Sequence, residues 1–153
     1  MVGYQALDKI NALNHIIDQD SLSAGIIAAI LNLGSNMGSD MDKSNLYGKL
    51  IDKNLIKDSL FDSLAVLVSK MSSDMDKVNL FNKMLEIDPI TENQWKILIS
   101  KSESLGSDID KANILSTFSK KMPKTDPVKA AYVKAAKTIG NDNDYGRVMR
   151  ALE

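Results

Sequence analysis

The chain has 153 residues, 44% apolar and 25% charged, a composition that suits a folded protein and excludes a disordered tail. Its 19 basic and 20 acidic residues leave a formal net charge of −1, so the overall balance draws it neither to nucleic acid nor to an anionic membrane. The absence of cysteine excludes disulfides, thiolate metal sites and thiol nucleophiles, and leaves the compartment open.

Only 5% of residues are aromatic and three are proline, which favours helices over strands. The opening "MVGYQALDKI" runs straight into an amphipathic pattern and lacks the basic flank and apolar centre of a secretory leader. The single histidine, His15, lies beside Ile16 and Ile17 in this first predicted helix. It reads as a surface or capping residue, with no cysteine or second histidine to share a metal. The most apolar stretch follows, "AGIIAAILNLG" (Ala24–Gly34); Asn32 interrupts it and it is too short to span a bilayer, so no direct membrane insertion of this segment is expected.

At Ser39–Lys43 the chain spells "SDMDK", repeats it at Ser73–Lys77, and writes "SDIDK" at Ser107–Lys111. The step is 34 residues each time, and the same step lands on "NDNDY" at Asn141–Tyr145 and, backwards, on Asp8. Apolar columns keep the step. One is Ala12, Leu46, Leu80, Ile114 and Val148, and another is Ile16, Leu50, Met84, Phe118 and Leu152. Leu46, Tyr47 and Leu50 stand at helical spacing, so a helix is predicted after each acidic word. A second stripe completes each unit: Leu60, Phe61, Leu64, Val68 and Met71, then Trp95, Leu98, Ile99 and Leu105. Asp-Pro at Asp88–Pro89 and Asp126–Pro127 is read as the start of the second helix, and Gly106 and Gly140 as its left-handed close.

A 34-residue hairpin cannot bury both faces alone, so the expected fold is all-α: an α-α superhelix (solenoid) of about four hairpins plus a trailing half repeat. The units are 5–38, 39–72, 73–106, 107–140 and 141–153, forming one repeat domain. Because apolar columns run up to Leu7 and Leu152, the chain is expected to be an excerpt of a longer array or to have its ends covered by a partner.

The acidic word reads as a helix start. Ser39, Ser73, Ser107 and Asn141 are N-caps, and Asp42, Asp76, Asp110 and Asp144 complete a capping box three residues on. Asp40, Asp74, Asp108 and Asp142 add negative charge where the helix dipole favours it, and Met41, Met75 and Ile109 are expected to tuck inward. Asn45, Asn79 and Asn113 form a column of poor helix formers, for which a hydrogen-bonded ladder between units is the expectation. A calcium loop does not fit: counted from Asp40, the sixth position is Asn45 and the twelfth is Ile51, where glycine and glutamate are needed. No phosphate loop, dinucleotide fingerprint or nucleophile elbow is present, so no enzyme and no cofactor is expected. Trp95 is core by column position and a partner anchor by residue type. Lysines crowd residues 107–140 without interleaved aromatics, which points to a solvated face and not to a nucleic-acid site.

The unit length equals that of tetratricopeptide repeats, but no unit carries their W-x₂-L-G-x₂-Y signature. "SDMDKSNLYGKL", "SDMDKVNLFNKM" and "SDIDKANILSTF" instead resemble a bacterial HEAT-like helical repeat marked by S-D-x-D-[KR], with "NDNDYGRVMRAL" an imperfect copy. That resemblance implies an accessory segment without catalytic residues. The expected function is a non-catalytic scaffold for a protein or peptide partner. The alternative is a regulatory or sensing segment of a membrane-anchored bacterial signalling or protease protein.

Overall fold

The computed structural model describes residues 2–153. Among the described residues the chain forms nine helices and no strand. They are α1 (Val2–Ile17), α2 (Ala24–Ser35), α3 (Asp40–Asp52), α4 (Ser59–Ser69), α5 (Asp74–Met84), α6 (Glu92–Ser102), α7 (Asp108–Ser119), α8 (Asp126–Ala136) and α9 (Asp142–Leu152). Odd-numbered helices pack in succession, α1 on α3, α3 on α5, α5 on α7 and α7 on α9. Even-numbered helices do the same, α2 on α4, α4 on α6 and α6 on α8. The fold is all-α and its core runs between these two rows.

The buried side chains are those whose spacing marked them. Leu46, Tyr47 and Leu50 of α3, Leu80, Phe81 and Met84 of α5, and Ile114, Leu115 and Phe118 of α7 face inward. Opposite them lie Leu60, Phe61, Leu64 and Val68 of α4 and Trp95, Leu98 and Ile99 of α6. Gly34 of α2 lets α3 come close: a Cβ there would stand 2.7 Å from Leu46 Cδ2 and 3.0 Å from Tyr47 Cε1.

Two pieces of punctuation differ from the sequence-based expectation. The cap of α6 is Thr91, not Asp88; its hydroxyl accepts from Gln94 N, and Gln94 Oε1 accepts from Thr91 N, a reciprocal capping box. The cap of α8 is Thr125, with Asp126 and Pro127 already inside the first turn. Gly106 and Gly140 do not close the helices in the left-handed region, since α6 and α8 end on right-handed Glu103 and Lys137 and no glycine among the described residues has positive φ. The left-handed closing residue that does occur is Asn54, at φ 56° after α3. There Asn54 N donates to Ile51 O and Leu55 N to Leu50 O, the paired bonds of a Schellman close.

Candidate interaction surface

The acidic words sit at the N-termini of α3, α5 and α7, and each letter has its own geometry. Ser39, Ser73 and Ser107 lie in extended backbone and their hydroxyls accept from Asp42 N, Asp76 N and Asp110 N at 3.2–3.3 Å. Asn141 does the same for α9, accepting from Asn143 N and Asp144 N. The reciprocal half of a capping box, a carboxylate returning to the cap's own N–H, is not what these helix starts use.

At Ser73, Ser107 and Asn141 that N–H goes to the first aspartate of the preceding word. One oxygen of Asp40 accepts from both Ser72 N and Ser73 N, each at 2.7 Å. Asp74 Oδ2 accepts from Gly106 N at 2.8 Å and Ser107 N at 3.0 Å. Asp108 Oδ2 accepts from Gly140 N and Asn141 N, both at 3.0 Å. The ladder between successive segments is therefore built by Asp40, Asp74 and Asp108. Gly106 and Gly140 hold the place that Ser72 holds in the first clamp, so the clamp itself accommodates a side chain there; a Cβ at either glycine would stand 3.3–3.4 Å from the carboxylate oxygen. Partial burial works to raise the Asp40 carboxyl, but the Ser73 and Ser72 N–H groups and the Lys43 ammonium outweigh it and hold it below its ordinary value.

In two of the three words the lysine ties its helix to the end of the helix that follows. Lys77, 6% exposed, donates to Ser104 O at 2.9 Å just past α6, and Lys111 donates to Thr138 O at 3.3 Å just past α8. Carbonyls at a helix C-terminus favour such a cation. Lys49 and Lys53 bridge from α3 to Asp18, each at 2.9 Å, and Lys83 bridges from α5 to Asp52 at 2.7 Å, a second contact in 34-residue register. These pairs hold the Asp18 carboxyl below and the Lys83 amine above their usual values.

The asparagine column does not form the expected ladder. Asn45, Asn79 and Asn113 are exposed. Asn113 Oδ1 accepts from Arg147 Nη1 at 3.0 Å, but among the described residues no hydrogen bond joins Asn45 to Asn79 or Asn79 to Asn113. Trp95 is not an accessible anchor: it is buried, edge-on to Phe118 with ring centroids 6.1 Å apart, and serves the core. His15 is exposed. In the lysine-rich segment Lys120, Lys121, Lys134 and Lys137 are exposed, as a solvated face requires.

The largest departure is the third letter of the word. Met41, Met75 and Ile109 point outward, at 65%, 71% and 61% exposure. Leu7, 34 residues before Met41, is exposed as well. Helical phase is the reason. At about 100° per residue, Met41 lies about half a turn around the helix from Leu50, a fully buried position of α3. The same reckoning on the sequence was the signal that would have placed it.

Each exposed apolar residue stands beside Asp42, Asp76 or Asp110, and each has an asparagine four positions on. Among the described residues those three carboxylates have no salt-bridge partner, whereas Asp144, the equivalent in α9, pairs with Arg147 at 3.1 Å. No group of histidines and carboxylates able to hold a metal occurs among the described residues. No helix among them is long and apolar enough to cross a membrane. No protein-family model, no curated protein and no solved structure matches the chain.

Proposed function

We propose that the chain is an α-solenoid of about four HEAT-like hairpins, units 5–38, 39–72, 73–106 and 107–140 with a trailing half unit 141–153, acting as a non-catalytic scaffold for a protein or peptide partner. The observation that carries this reading is the recurring carboxylate clamp, which ties units 39–72, 73–106 and 107–140 each to the one that follows in one register. A clamp repeated in this way stacks helix pairs rigidly and presents the same outward position again and again along one edge. Shifted groups support the non-catalytic part. Asp40 serves the clamp, Asp18 and Lys83 serve inter-helix ion pairs, and Tyr47 and Tyr132 are core phenols raised to about 12 chiefly by burial.

The test is affinity capture from a lysate of the source organism on the immobilised chain, with free chain as competitor and mass spectrometry as readout. A protein displaced in proportion to competitor is the expected result. Capture of nothing that the free chain displaces overturns the scaffold reading.

A further inference from the structure

The outward column has a definite chemistry. Met41, Met75 and Ile109 are large, apolar and about two-thirds exposed, on three adjacent helices that pack in sequence. Packed helices stand ~8–10 Å apart, so the three side chains recur along the edge at about that step. Asp42, Asp76 and Asp110 follow them in sequence, about 100° further round each helix, are half-buried, and have no salt-bridge partner among the described residues. The lysines of the same words are engaged elsewhere: Lys43 with Asp40, Lys77 with Asp74 and Ser104 O, and Lys111 with Thr138 O. Leu7 extends the column at one end, and at the other it stops in α9, where Asn143 replaces the apolar residue and Asp144 is paired.

We propose that this edge, Met41, Met75 and Ile109 with Asp42, Asp76 and Asp110, docks a basic amphipathic segment of another protein, apolar residues against the first three and Lys or Arg against the second. The proposal rests on the scaffold reading and names its partner's chemistry. Charge complementarity selects the occupant. A second copy of the same edge would set carboxylates against carboxylates, and an anionic lipid surface or a nucleic acid would meet the same repulsion. Spacing selects its form. A helix advances ~1.5 Å per residue, so residues seven apart are separated by about 10 Å and match the step of the column. An apolar helix face read at fixed spacing, with flanking charge setting orientation, is an established way for a groove or edge to take a peptide.

The probe is a fluorescein-labelled 21-residue helical peptide with Leu at every seventh position and Lys flanking each Leu, titrated with the full chain by fluorescence anisotropy. A Glu-for-Lys peptide and a Ser-for-Leu peptide are the comparisons. Saturable binding of the Leu/Lys peptide alone is expected, weakening as salt rises. In the protein, Met41→Ser, Met75→Ser and Ile109→Ser together should weaken it at least tenfold. Asp42→Asn, Asp76→Asn and Asp110→Asn together should flatten its salt dependence, and Leu33→Ser, also exposed but in α2, should leave binding unchanged. Buried Trp95 reports by its emission that each variant is folded. Equal binding of the acidic peptide, undiminished binding by the Met/Ile variant, or no saturable binding to the wild-type chain overturns the proposal. If the Met/Ile variant still captures the competed partner from lysate, the scaffold stands and this edge is not its docking face; if the wild-type chain captures none, the scaffold reading itself fails.

Discussion

Replacing Asp40 by alanine removes a single oxygen that accepts from two backbone N–H groups, Ser72 and Ser73, each at 2.7 Å. A hydrogen bond to a charged group contributes ~1.5–3 kcal/mol, so two intact bonds set an upper limit of ~3–6 kcal/mol. Ser72 is exposed, and water can satisfy its donor once the carboxylate is gone. The Lys43 pair, at 3.4 Å, adds little. A net loss of ~2 kcal/mol is expected, which lowers the Tm by ~4–8 °C for a chain of this size. Asp40→Asn keeps an acceptor and loses the charge, so it should cost about half as much. Urea unfolding followed through Trp95 emission measures both. The pH dependence has a definite sign. Because the folded Asp40 carboxyl is held below its ordinary value, its contribution is complete above the unfolded value of ~3.9 and is lost as pH falls through the lowered folded value. The gap between wild type and Asp40→Ala should therefore be full near neutrality and narrow in acid below ~pH 3.9. A variant within ~0.5 kcal/mol of wild type near neutral pH, or a gap that stays constant into acid, would refute the clamp.

Other outcomes follow from the same geometry. Asn79→Ala should leave the stability unchanged or raise it slightly, by up to ~0.7 kcal/mol of helix propensity, because the amide is exposed; a clear fall in Tm in a thermal melt would restore the asparagine ladder. Gly34→Ala should destabilise by ~1–3 kcal/mol, since its methyl meets Leu46 and Tyr47 within 3.0 Å, and a variant more stable than wild type in urea would show that α2 and α3 part freely. Tyr47 and Tyr132 are raised to about 12, so stability should hold below the unfolded phenol value of ~10 and fall as pH rises towards the folded value. An alkaline denaturation series tests this, and a flat profile from ~pH 10 to ~pH 12 would contradict it.

What the sequence determined by itself was local and periodic. Ser39, Ser73, Ser107 and Asn141 start helices because a cap acts within three residues, and Leu46, Tyr47 and Leu50 face the core because an apolar stripe needs only helical spacing. Tertiary structure alone decided what joins one segment to the next. The clamps of Asp40, Asp74 and Asp108 span 32 and 33 residues, a separation at which neither propensity nor periodicity ranks one polar column above another. The asparagine column was expected to form the ladder, yet packing turned it to solvent and brought the aspartates against free N–H groups. Packing also fixed the phase of α3, α5 and α7 about their axes, because a stripe of several apolar residues has more area to bury than one, and the single apolar letter at each helix start was left facing outward.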